Sequence, residues 1–100
     1  LDMKKWGRSV ESCVGAHLLN NSDQGNYKVY YWREANDEVD FVIEQGRKVI
    51  AIEVKSGRRS SNKGLPAFSR HFNPYRSIVV GTGGISFENF LSADPACLFM

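Results

Sequence analysis

The stretch DEVDFVIEQGRKVIAIEVKSG, residues 37–57, decides how this chain folds. Apolar residues alternate on both sides of Gly46-Arg47, and a two-residue loop with Gly first is a favoured connection between antiparallel strands. Counting outward from that loop, Gln45 faces Lys48, Ile43 faces Ile50, Phe41 faces Ile52 and Val39 faces Val54. Beyond the first pair this face is apolar and predicts a core. On the other face Glu44 meets Val49, Val42 meets Ala51, Asp40 meets Glu53 and Glu38 meets Lys55.

The Asp40–Glu53 pair is the unusual one. Like charges opposed across paired strands repel. Two carboxylates so close either share a proton, which raises one pKa, or share a cation. Lys55 projects from the same face about 6–7 Å further along the strand. Plainer readings exist for the same letters. Glu and Lys are common enough that an E-x-K triplet arises by accident. Glu38 opposite Lys55 can be a surface ion pair worth under about 1 kcal/mol. A one-residue slip of the hairpin would also part Asp40 from Glu53.

Around the hairpin the pattern is α-β-β-β-α-β. Val10, Cys13, Val14, His17 and Leu18 fall at helical spacing, with Glu11 at the border of that stripe. His17 reads as a partly buried core histidine. The run NNSDQGN, residues 20–26, is a loop, and YKVYYWR, residues 27–33, is a strand. Its Tyr30, Tyr31 and Trp32 are faces on which bases can stack, although alternation commits at least one side to the core. Leu65, Phe68 and Phe72 predict a helix that opens near Pro66 and stops at Asn73-Pro74, with His71 on its surface. SIVVGT, residues 77–82, predicts a strand buried on both faces. SFENFL adds a helical turn, and GTGG at 81–84 reads as a turn rather than a phosphate loop. The fold class is α/β or α+β, a mixed central sheet flanked by helices.

Composition narrows the function classes. No run of 18 or more apolar residues is present, so no membrane span is expected. The first residues lack an apolar signal region. Cys13 and Cys97 are far apart in apolar surroundings, with no C-x-x-C; this predicts neither zinc nor a disulfide framework, and a reduced, cytoplasmic protein. The 100 residues suffice for one domain. A first residue other than Met and an apolar end, PACLFM, suggest a fragment of a longer protein. Between Arg47 and Arg76 eight basic side chains accompany a single acid, Glu53. Such a segment suits a polyanion as well as a plain solvated face. Arg58, Arg59 and Lys63, just past the E-x-K strand, are the candidate phosphate contacts.

Glu11 on the first helix, VDF with Asp40, and IEVKSG with Glu53 and Lys55 together resemble the PD-(D/E)XK nuclease superfamily. More narrowly, GRSVES, YYWR, EVDFVI, AIEVKSG and KGLPAF resemble a domain of unknown function found at the C-terminal end of prokaryotic AAA+-type ATPases. The likeness runs from about Gly7 to Val80, with Val39 standing where the superfamily name has Pro. It implies a restriction-endonuclease-like αβββαβ core. It implies that Asp40 and Glu53 hold Mg²⁺ or Mn²⁺, with the Val54 backbone carbonyl as a third ligand and Glu11 approaching from the helix. Lys55 would orient or help deprotonate the attacking water. The implied partners are nucleic acid, DNA first, and an N-terminal AAA+-type ATPase domain of the same full-length chain. No G-x-x-x-x-G-K-[ST] occurs, so these residues are not the ATPase. The competing expectation is a catalytically inactive module that docks such an ATPase.

Overall fold

The computed structural model describes residues 3–55 and 64–100. Its elements run α1 (Met3–Asn20), α2 (Ser22–Gly25), β1 (Lys28–Glu34), β2 (Asp37–Gln45), β3 (Lys48–Lys55), α3 (Gly64–His71), β4 (Arg76–Gly81) and α4 (Phe87–Ser92), then a 3₁₀ helix (Pro95–Phe99). The hairpin turns where alternation places it, and Gly46 takes φ +60°, a region that a Cβ disfavours. Five pairs form in the expected register, from Gln45↔Lys48 to Phe41↔Ile52. The sheet order is β1-β2-β3-β4, with β4 parallel to β3 and the other pairs antiparallel. A parallel neighbour needs a crossover, and α3 lies within that connection. The fold is therefore a mixed α+β sheet flanked by helices.

Each face of the sheet has its own core. Val14 and Leu18 of α1 pack with Ile43, Ile50, Ile52, Val80, Phe90 and Phe99. The spacing of Val10, Val14 and Leu18 keeps all three on the buried side of α1. On the other face Leu65 and Phe68 of α3 cover Val39, Val42 and Ala51. His17 is half-buried as expected; its Nε2–H donates to the Ala93 carbonyl at 2.8 Å, and its ring meets Phe90 edge-on. Cys13, by contrast, is exposed, as is Cys97, so neither lies in the apolar setting that sequence suggests. In β4 only Val80 is fully buried, because β4 is an edge strand rather than a central one.

A β-bulge overturns three predicted pairs, Asp40–Glu53, Val39–Val54 and Glu38–Lys55, since the β2–β3 ladder stops at Phe41↔Ile52. Between Tyr30↔Val42 and Trp32↔Val39, two residues of β2, Asp40 and Phe41, oppose the single Tyr31 of β1. The extra residue reverses the alternation of β2. Val39 joins the α3-side core, whereas Val54 packs on the α1 side, so the expected Val39–Val54 pair does not form. At the opposite end of the hairpin, two basic side chains and a tyrosine hold the C-terminal segment. Lys48 Nζ donates to Phe99 O at 2.7 Å, Arg76 Nε to Leu98 O at 2.8 Å, and Tyr75 Oη to Met100 O at 3.2 Å.

Phe68 (1% exposed) and Phe72 (46% exposed) stack on each other with ring centroids 4.7 Å apart, yet only Phe68 fills the core. Phe68→Ala is expected to lower unfolding free energy by about 3–5 kcal/mol, the range for a buried aromatic. Phe72→Ala should cost no more than about 1 kcal/mol. Urea unfolding of the two variants measures both.

Candidate functional site

The bulge that turns Val39 over also aims Asp40. The β2–β3 ladder ends at Phe41↔Ile52, while β3 continues beside β4 as far as Lys55↔Gly81. The Asp40 carboxylate enters where the strands part, and its Oδ2 accepts the Val54 N–H at 2.8 Å. A side chain thus takes the place of a ladder carbonyl. Val54 meets Asp40 through its N–H; the resemblance assigns the metal to its carbonyl.

Asp40 is the centre of an acidic cluster drawn from three elements. Glu53 of β3 hydrogen-bonds it, Glu11 of α1 hydrogen-bonds it, and the charge of Glu38 reaches both. Burial first, then the hydrogen bond and charge of Asp40, pushes Glu53 up to about 9, against a smaller opposing pull from Lys55. Burial also raises Glu11, followed by the charge and hydrogen bond of Asp40. The cluster thus takes the shared-proton alternative when no cation is bound: near neutral pH Glu53 is a neutral acid beside Asp40.

Other residues frame this cluster. A Cβ on Gly64 would lie 1.9 Å from the Glu38 carbonyl oxygen and 3.3 Å from Glu53 Oε2. Only glycine lets the first turn of α3 come so close to the carboxylates. An open recess of about 410 Å³ lined by Glu11, Gly15 and Phe41 adjoins the cluster on the α1 side. Lys55 is half-buried at the end of β3, and its carbonyl accepts the Thr82 N–H at 3.1 Å. The structure therefore brings together Glu11, Asp40, Glu53 and Lys55, four of the residues that sequence singles out. Arg58, Arg59 and Lys63 lie outside the described residues. The sequence does not mark Gly64, Gly15 and Phe41 as site residues, because only the tertiary packing gives them that role. Of the eight basic residues between Arg47 and Arg76, Lys48 and Arg76 are engaged with backbone carbonyls at the far end of β3.

Hard carboxylate oxygens are the donors that magnesium takes, and it uses one or two of them together with waters and phosphate oxygens. Asp40 and Glu53 fit that pattern, since a cation would replace the proton that now relieves their repulsion. Among the described residues no group of three or more His, Cys, Asp or Glu side chains is arranged to hold a metal ion by itself. Asp40 and Glu53 are thus the two carboxylates on which such a site would rest.

The fold and this cluster define a mixed α+β domain with an acidic, proton-sharing site at the split end of a hairpin. A family model described as a domain of unknown function (DUF4143) matches residues 6–92, and the chain belongs to that family. No curated protein and no solved structure gives a significant match. Among the described residues, no helix is long and apolar enough to cross a membrane.

Glu53 sets a pH dependence whose sign can be worked out. Its pKa is raised from 4.5 to about 9, so between those values the folded chain keeps a proton that the unfolded chain has lost. The contribution to stability is full below about pH 4.5 and drains away as pH rises through 9. In metal-free buffer the Tm should fall across this window, and Glu53→Gln should flatten the fall. Thermal melts at a series of pH values test it; equal slopes for the two proteins would refute it.

Proposed function

We propose that the chain is a metal-dependent, PD-(D/E)XK nuclease-like domain that binds nucleic acid, DNA first, and hydrolyses phosphodiesters with Mg²⁺ or Mn²⁺. The observation that carries this reading is the convergence of Glu11, Asp40 and Glu53 from α1, β2 and β3, with Lys55 two residues beyond Glu53. Asp40 and Glu53 are the residues that would hold the ion. When bound, it supplies a water of lowered pKa and neutralises charge on the phosphate. Lys55 would orient that water and offer a positive group to the non-bridging oxygens, where charge builds up during in-line displacement. Glu11 would approach the same ion from α1, beside Asp40. Water oxygen bonds to phosphorus as the P–O bond to the leaving strand breaks; the attacking water gives up one proton to solvent and the departing oxygen takes one up from it.

A second reading has its own support. Glu53 keeps a proton beside Asp40, so the site relieves its own repulsion without a cation. On this reading the domain is a catalytically inactive interaction module of an AAA+-type ATPase, built on a nuclease-like scaffold.

Divalent-ion titration separates the two. At an ion concentration of 100 Kd a specific site stabilises by about 2.7 kcal/mol, a Tm rise on the order of 10 °C. The rise should be larger at pH 8.5 than at pH 6, since the ion displaces the Glu53 proton, and absent in Asp40→Asn. Cleavage of DNA should require the ion and be lost in both Asp40→Ala and Lys55→Ala. Cutting that survives both substitutions, or a thermal shift unchanged by Asp40→Asn, would remove the assignment.

A further inference from the structure

The acidic cluster lies at the N-terminal end of α3, and a different feature lies at its other end. There the sheet carries a recess of about 250 Å³ walled by Tyr30, Trp32, Val42, Val49, Phe68 and Phe72. Its aromatic faces exceed what the core needs. Phe68 closes the core, whereas Tyr30 is 47% and Phe72 46% exposed. Trp32 stands edge-on to both Phe68 and Phe72, so the walls are rings set at steep angles around an open slot. The rim also carries Tyr31, 62% exposed, and Glu44, whose Oε1 accepts the Tyr30 hydroxyl at 3.3 Å.

We infer that this recess is a binding site for a single unstacked nucleobase of the nucleic acid whose phosphodiester meets the Asp40–Glu53 site; it rests on the function proposed above. Three observations converge on it. Val49 of the recess and Glu53 of the site alternate on the same face of β3, four residues or about 13 Å apart. A strand joining them passes over α3, whose Leu65 and Phe68 cover Ala51 between them, so at the ~3.4 Å rise of a stacked strand the two are at least about four nucleotides apart. A slot walled by partly exposed aromatic rings matches the flat π-face that every base presents, and such stacking tolerates sequence. Glu44 offers acceptor oxygens to the N–H donors that an unpaired base exposes on its Watson–Crick edge. The recess therefore selects an unpaired base over a stacked duplex.

The test uses fluorescence anisotropy with short single-stranded DNA, intact or carrying one abasic position, with Ca²⁺ replacing Mg²⁺. Phe72→Ala and Tyr30→Ala should bind intact strands roughly 5- to 100-fold more weakly than wild type. Tyr30→Phe, which keeps the ring, should bind as wild type does. An abasic position at the right place should weaken wild type by a similar factor and leave the alanine variants little changed. The salt dependence of binding should be the same for all, since no phosphate contact is removed. Alanine variants that melt like wild type and bind intact strands equally well would overturn the inference while leaving the nuclease-like reading in place. Loss of self-association, rather than of DNA affinity, in Phe72→Ala would overturn it in favour of a protein interface. Failure of wild type to bind any strand would remove the nucleic-acid reading and the recess with it.

Discussion

A single hydrogen bond, from the Val54 N–H to the Asp40 carboxylate, holds the arrangement on which the rest depends. Where β2 and β3 part, a donor on β3 would face an empty seam, and an unpaired buried amide is costly. Asp40 supplies the missing acceptor. It can do so because the bulge opposite Tyr31 gives β2 one residue too many. The same carboxylate then draws Glu11 and Glu53 toward itself. Strand separation, site assembly and the reversal of Val39 are three results of one inserted residue.

This makes Asp40 part of both the framework and the chemistry. Its Oδ2 is committed to the backbone, which fixes the carboxylate in place and leaves its other oxygen for a neighbour. Such support by the backbone is what keeps a reacting group in one geometry. On the neighbouring edge Lys55 is held in a different way. Its backbone pairs with Gly81 and its carbonyl takes the Thr82 N–H, so β4 anchors the lysine while β2 withdraws. The short E-x-K segment is thus gripped by backbone on one side and by a side chain on the other.

Much of this was legible in the letters, and the part that was not has a physical reason. Alternation fixes the hairpin register because a one-residue slip would turn the whole apolar set outward. Hence the five pairs from Gln45↔Lys48 to Phe41↔Ile52 stand as read. The helical spacing of Val10, Val14 and Leu18 was equally plain. The reversal at Val39 was not legible, because a bulge depends on the partner strand and leaves no mark in the alternation of one strand alone. Asp40 and Glu53 still meet, by splaying rather than by facing each other in a ladder. Cys13 misled because it fits the helical stripe, yet lies at its margin and faces outward. The role of Gly64 was invisible, since nothing local shows that the Glu38 carbonyl will lie against it. The general class of site was readable from residue types, while its geometry came from contacts distant in sequence.

The hold of Lys48, Tyr75 and Arg76 on residues 98–100 bears on how the chain comes to be folded in the cell. Phe99 is part of the core beneath α1, packed beside Tyr27 with ring centroids 6.0 Å apart. A nascent chain that had emerged only as far as β4 would have its hairpin but an unfilled gap where Phe99 belongs. Contacts spanning so much sequence form late, because the chain entropy they cost must be met before they stabilise anything. The domain should therefore complete its folding only after residue 99 has cleared the ribosome, as one late cooperative step rather than element by element during synthesis.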